Sequence, residues 1–241
     1  MSVRFRERGY SPRVPSALVI GASSGIGEAL VRRLAGTGWT VVGMARRAGP
    51  EAAGYRHVVA DVRAADFGAK LAAAYDELGD VDACIYCTGI GEPLALPALA
   101  HDRDVFATNL VGLVATAEVV IPRMLARGRG HFIGLSSQAD RVISDDAPSY
   151  AASKAGMSSY LEGLAFACRP AGVAVTNVRF GFVDTQMAKS AAKPFMISAG
   201  RAAAIVEKAL ARRPIRVTYP KRMAVLLWFF TWPRRVRTWF A

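Results

Sequence analysis

The sequence predicts an α/β fold in one domain: a doubly wound parallel sheet of about seven strands, covered by helices on both faces in three α/β/α layers. Three observations predict it. Short apolar, β-branched runs alternate with longer helical segments along almost the whole chain. A glycine-rich turn follows the first of those runs and opens a helix. No Ser/Gly-rich linker and no internal repeat divides the 241 residues, a length that suits one domain with an ample core.

The elements follow in order. Ala17–Ile20 reads as a short buried strand, and a helix runs from about Gly25 to Thr37. Thr40–Ala45 is the second strand and Tyr55–Ala60 the third, closed by Asp61. A helix over Asp66–Leu78 leads to a strand over Val81–Cys87. A long helix from about Asp104 to Arg127 carries Asn109, and His131–Ser136 is the next strand. The helix holding Tyr150 and Lys154 must end before Pro170, whose ring would break it. Val173–Phe180 is a sixth strand, and residues 182–197 read as irregular and mobile. Ser198 caps a helix to about Arg212, and Ile215–Tyr219 is a final strand.

Charge is unevenly placed. The net charge is +12, but residues 17–207 hold 18 basic and 18 acidic side chains. Residues 1–16 contribute +3 and residues 208–241 contribute +9 with no acidic residue at all. The chain therefore divides into a basic extension (1–16), one balanced domain (17–220) and a basic aromatic tail (221–241). A neutral domain without a recognition module argues against a nucleic-acid partner. The tail, with Trp228, Phe229, Phe230, Trp232 and Trp239 among its arginines, fits either a membrane interface or packing on the domain or a partner subunit. Its apolar run, Met223 to Trp232, is 10 residues long, about half a membrane span.

Three cysteines are too few for a disulfide scaffold and suit a reducing, cytoplasmic setting. Cys84 and Cys87 form a Cys-x-x-Cys at a strand end, where residues three apart point to opposite faces and share no metal. No metal site is expected. No apolar segment of a secretion signal follows the basic N-terminus.

The turn Gly21-Ala22-Ser23-Ser24-Gly25-Ile26-Gly27 lets backbone N–H groups approach a pyrophosphate at a helix N-terminus. That points to a Rossmann-like dinucleotide site. The second strand ends in Arg46-Arg47, with no acid before Glu51. A carboxylate there suits the ribose of NAD(H), whereas a guanidinium binds a 2′-phosphate, so NADP(H) is expected, with Arg46 as first contact and Arg47 second.

Tyr150 and Lys154 stand four residues apart on one helix face. An ammonium beside a phenol favours the phenolate, and such a tyrosine can exchange a proton with a carbonyl oxygen. Ser137 lies 13 residues upstream, and Asn109 lies 28 before that. Together with the Gly21/Gly25/Gly27 spacing, these residues resemble the short-chain dehydrogenase/reductase family over roughly residues 16–220.

The resemblance implies that Asn109, Ser137, Tyr150 and Lys154 are the catalytic set. Ser137 would donate to the substrate carbonyl, Tyr150 would deliver the proton, and Lys154 would lower the Tyr150 pKa and bind the nicotinamide ribose. Asn109 would hold a water that links Lys154 to solvent. Asp61, beside Val62, would meet the adenine edge, Gly89 would allow close cofactor approach, and Gly181, Val183 and Thr185 would line the nicotinamide. Two departures stand out: Tyr86-Cys87-Thr88-Gly89 replaces Asn-Asn-Ala-Gly, and Phe180-Gly181 replaces Pro-Gly. The implied activity is NADPH-dependent reduction of a ketone or aldehyde by a homo-oligomer. Alcohol oxidation at the same site, or a non-catalytic NADP-binding sensor, are the alternatives. Phe182, Met187, Phe195 and Met196 suggest an apolar substrate cleft, or else belong to the core.

Overall fold

A computed structural model describes residues 13–187 and 193–227. Seven strands form one parallel sheet: β1 (Ser16–Ile20), β2 (Thr40–Ala45), β3 (Tyr55–Val59), β4 (Ala83–Tyr86), β5 (Gly130–Ser137), β6 (Val173–Phe180) and, at the far edge, Arg216–Tyr219. A two-stranded pair, β7 (Val183–Asp184) and β8 (Ile197–Ser198), sits apart, so the edge strand Arg216–Tyr219 is β9. The spatial order is β3-β2-β1-β4-β5-β6-β9, and every neighbouring pair runs parallel. The order reverses between β1 and β4, the crevice where such sheets bind ligands.

The helices are α1 (Gly25–Gly36), α2 (Phe67–Leu78), α3 (Ala100–Phe106), α4 (Gly112–Ala126), α5 (Pro148–Cys168), α6 (Ala199–Arg212) and α7 (residues 221–227). Alternation along β1 sends Leu18 and Ile20 to one face and Ala17 and Val19 to the other. On the first face they join Leu71 of α2, Val120 of α4 and Leu161 of α5. On the second they meet Leu30 and Leu34 of α1 and Val206 of α6. Burying both faces is what a parallel sheet of near-continuous apolar strands requires.

Most expected elements hold within a residue or two, and the differences have local causes. The long helix begins at Ala100 and is interrupted by a π-helical turn, Ala107–Val111, that separates α3 from α4. The fourth strand is shorter than expected, because chain at both ends leaves the ladder. The 182–197 segment holds the β7–β8 pair, which is too short to give a strand pattern in sequence. Residues 188–192 of it, and 1–12 and 228–241, lie outside the described residues. Cys84 packs in the first core and Cys87 against the second, on opposite faces as expected. Residues 100–126 are long and apolar enough to cross a membrane, but half of that apolar window is buried inside the domain.

Candidate active site

Residues at the carboxyl ends of β1 and β4 meet at the crevice. Gly21 leaves β1 with φ of +92°, and a Cβ there would lie 2.7 Å from the Thr88 backbone nitrogen after β4. Gly25 starts α1 with φ of +58°, and a Cβ on Gly27 would collide with the Gly21 carbonyl oxygen. Each glycine is thus needed for a different contact. Ser24, the N-cap, has extended backbone, and its hydroxyl makes no capping bond. The N–H groups of the first turn of α1 therefore remain available to an anion. Ser23 lies in the same turn, and Ile26 packs its side chain into the second core, fixing the helix to the sheet. This cradle fits a dinucleotide pyrophosphate.

Both arginines after β2 border the cradle. Arg47 Nη2 donates to Ser24 Oγ at 3.5 Å. Arg46 lies near Asp61: burial opposes ionisation of that carboxyl, but hydrogen bonds from Arg63 and the charges of Arg63 and Arg46 hold it below its ordinary range. Asp61 Oδ1 accepts from the Arg63 backbone N–H at 3.0 Å, so its carboxylate closes a turn just past β3. Val62 packs its side chain against Gly112, and a Cβ there would come within 2.9 Å of Val62 Cγ2.

The second cluster lies on β5, α5 and the π-helical turn. Ser137 ends β5 and caps a 3₁₀ turn, Gln138–Arg141, with its Oγ accepting from the Ala139 N–H at 3.1 Å. Tyr150, on the first turn of α5, faces Ser137, whose hydroxyl works to lower the phenol's pKa. Its ring edge bounds Gly91, where a Cβ would sit 2.9 Å from Tyr150 Cδ2. Lys154, one turn further along, is 4% exposed and donates to the Leu135 carbonyl at 3.0 Å. Its Nζ lies 5.7 Å from the Tyr150 ring centroid. The neighbouring Ser136 points elsewhere and donates to Asn177 Oδ1, so the 13-residue spacing selects the serine that faces Tyr150.

One electrostatic expectation is corrected. Sequence reasoning has Lys154 depress the Tyr150 pKa. Instead burial raises the phenol, with the Ser137 hydrogen bond opposing, and burial pushes Lys154 down to about 8, with Cys87 opposing. The two groups share one dry pocket. Desolvation of each outweighs the help one gives the other.

Asn109 sits fully buried in the π-helical turn. Its Oδ1 accepts from Ile90 N–H at 2.8 Å, and its Nδ2 donates to Ile90 O and to Ser153 Oγ, each at 2.9 Å. Both amide hydrogens are thus spent on holding the 89–91 backbone and α5, and the water expected at Asn109 finds no donor on that side chain. A Cβ on Gly89 would stand 3.3 Å from Asn109 Oδ1 and 3.4 Å from Lys154 Nζ, so a bare Cα is what lets the three meet. The missing asparagine ties after β4 have a substitute: the buried Tyr86 hydroxyl donates to Thr108 O inside the π-helical turn.

The last wall comes from the chain after β6. Gly181 N–H donates to Tyr219 O at 2.9 Å, and Met223 of α7 covers the space a Cβ on Gly181 would need. Val183 is buried on β7, and the Thr185 methyl faces Gly25. Met187, Phe195 and Met196 are 37%, 44% and 43% exposed and so stand outside the core, and Met187 Cε comes within 3.4 Å of where a Cβ on Gly89 would lie. Sequence reading missed Ser153 and the buried pair Asp140–Arg179. A charged residue, Arg179, inside the buried strand Val173–Phe180 was the available signal for the latter.

A doubly wound sheet whose crevice joins a glycine cradle to a Ser–Tyr–Lys cluster defines a nucleotide-dependent oxidoreductase. The family model for short chain dehydrogenase matches residues 15–194. An uncharacterized oxidoreductase of Myxococcus xanthus is 34% identical over 226 residues, covering 87% of this chain and 89% of that protein. A 3-oxoacyl-acyl-carrier-protein reductase of Vibrio harveyi is 31% identical over 186 residues, or 72% of this chain and 75% of that one. The solved structure of an actinorhodin polyketide ketoreductase variant with NADPH superposes with a TM-score of 0.76 at 25% identity, covering 86% of this chain and 95% of that one. The chain belongs to the short-chain dehydrogenase/reductase family of nicotinamide-dependent oxidoreductases.

Proposed function

We propose that the protein is an NADPH-dependent reductase of a lipophilic ketone or aldehyde, with Tyr150 as general acid. The observation that carries the reading is the cluster of Ser137, Tyr150 and Lys154 at the crevice, with Lys154 Nζ 5.7 Å from the Tyr150 ring centroid. The glycine cradle would hold the cofactor's pyrophosphate, and the reduced nicotinamide would supply the hydride for the carbonyl carbon. The side chains do the rest. Ser137, whose oxygen accepts from Ala139 N–H, would turn its hydroxyl hydrogen from the long 3.4 Å contact with Phe180 O to the carbonyl oxygen. Tyr150 hands its phenol proton to that oxygen as it becomes an alkoxide. Burial holds Tyr150 protonated at neutral pH, the state an acid needs. Lys154, bonded to Leu135 O, spans the space between Tyr150 and Gly89, where the ribose would lie.

The preference for NADPH rests on Arg46 and Arg47 and on the lack of an acid at the end of β2. The preference for an apolar carbonyl compound rests on Met187 beside Gly89, and on relatives named for 3-oxoacyl and polyketide reduction. Loss of NADPH absorbance with ketones, aldehydes and 3-oxoacyl thioesters of increasing chain length, run beside NADH, tests the reading. Turnover that prefers NADPH and improves with chain length supports it. Tight NADPH binding with no turnover across the panel contradicts it.

The tail favours a second, separate reading: residues 221–241 hold the protein on an anionic membrane surface. Lys221 and Arg222 of α7 are exposed, as are Val225 and Leu226 at 56% and 42%, and the rest of the tail is basic and aromatic with no acidic residue. Sedimentation with vesicles containing phosphatidylglycerol tests it, and recovery of the protein in the supernatant at low salt sinks it.

A further inference from the structure

A buried charge pair that the proposed chemistry does not use lies directly behind Ser137. Asp140, in the 3₁₀ turn that Ser137 caps, faces Arg179 of β6, with side chains 5% and 6% exposed. Arg179 Nε donates to Asp140 Oδ2 at 2.5 Å, and Nη2 donates to Oδ1, a two-pronged fork. The third nitrogen, Nη1, donates to Thr218 Oγ1 of β9 at 3.1 Å. Ser158, two turns beyond Tyr150 on α5, donates to Asp140 Oδ2 at 2.6 Å. One carboxylate therefore joins the turn, β6 and the helix of Tyr150 and Lys154.

Stability alone does not call for these charges, because an apolar pair of similar volume serves a core as well. What a guanidinium–carboxylate fork adds is orientation. The Ser137 hydroxyl accepts from Ala139 N–H only while the 3₁₀ turn holds its shape. Its hydrogen points to the Phe180 carbonyl at 3.4 Å, one residue beyond Arg179 on β6, so the turn and β6 together set where the hydroxyl sits.

We propose that the Asp140–Arg179 pair is a positioning device that holds Ser137 in register with Tyr150 for the reaction. The proposal rests on the reading of Ser137 and Tyr150 given above. Arg179→Lys keeps the charge balance but loses the fork, whereas Asp140→Leu/Arg179→Met removes both charges. For each folded variant the expected result is a kcat about tenfold to a hundredfold lower, with the KM for NADPH unchanged. The double variant should melt at or above the parent temperature and still be slow, which a merely structural role would not produce.

A readout independent of turnover accompanies the kinetics. It is the phenolate absorbance of Tyr150 during alkaline titration, taken as the difference between each protein and its Tyr150→Phe counterpart. Loss of Ser137 from its place should move that titration to higher pH. Parent kcat together with an unmoved titration in either folded variant overturns the proposal, as does failure of both variants to fold. A parent protein that turns over no carbonyl compound overturns the enzyme reading alone, and the titration still decides this one.

Discussion

Lys154 Nζ donates to the carbonyl oxygen of Leu135 at 3.0 Å, which ties α5 to β5 two residues before Ser137. The ammonium is buried, and that one carbonyl supplies the hydrogen bond that offsets its lost hydration. The same bond sets the spacing between the strand that ends in Ser137 and the helix that carries Tyr150. A lysine held this way costs stability whenever it is charged, and the cost is measurable.

Folding lowers the Lys154 pKa from its ordinary 10.5 to about 8. Between those values the unfolded chain holds a proton that the folded protein has released, so stability rises with pH through the window. Below about pH 8 the folded state bears the full cost of the buried charge. Relative to Lys154→Met, the parent protein should therefore gain about 3 kcal/mol on going from about pH 7 to about pH 10. Denaturant unfolding of both proteins across that range checks this, and a flat difference contradicts it.

Asn109→Leu keeps the side-chain volume but leaves the half-buried Ile90 N–H and C=O without their Asn109 partner. A loss of about 2–4 kcal/mol is expected, visible as a lower melting temperature. An unchanged melting temperature shows that the π-helical turn does not depend on those bonds.

Arg46→Ala/Arg47→Ala removes both cations at the end of β2. The KM for NADPH should rise about tenfold to a hundredfold, as loss of charge-assisted hydrogen bonds implies, while NADH kinetics stay nearly constant. Equal effects on the two cofactors would show that neither arginine meets a 2′-phosphate.

Gly21→Ala combines a φ of +92° with a Cβ 2.7 Å from the Thr88 nitrogen. The backbone must shift at the cradle, at a cost of about 1–3 kcal/mol. Calorimetric titration should find NADPH affinity lost in a protein that remains folded. Retained affinity means the turn can relax without harm to the cradle.

The alternation of short apolar strands with helices was enough to predict a parallel sheet of about seven strands, because the central strands are buried on both faces and read as continuous runs. Ser137, Tyr150 and Lys154 were legible because helical spacing and strand ends restrict where side chains can point. Asn109 was legible as a residue but not in its bonds, since a π-helical turn leaves no periodic mark in sequence. The sign of the Tyr150 shift was missed because spacing says which groups are near and not how dry the pocket is. The Asp140–Arg179 pair joins residues 39 apart, and only the β5–β6 ladder brings them together.

The most direct test compares parent and Tyr150→Phe for oxidation of NADPH by a 3-oxoacyl thioester, with NADPH affinity measured on both. The account predicts equal affinity and a rate about 10²–10⁴ lower in the variant, the usual worth of a positioned acid. Equal rates, or a parent protein that binds NADPH and reduces nothing, would contradict it.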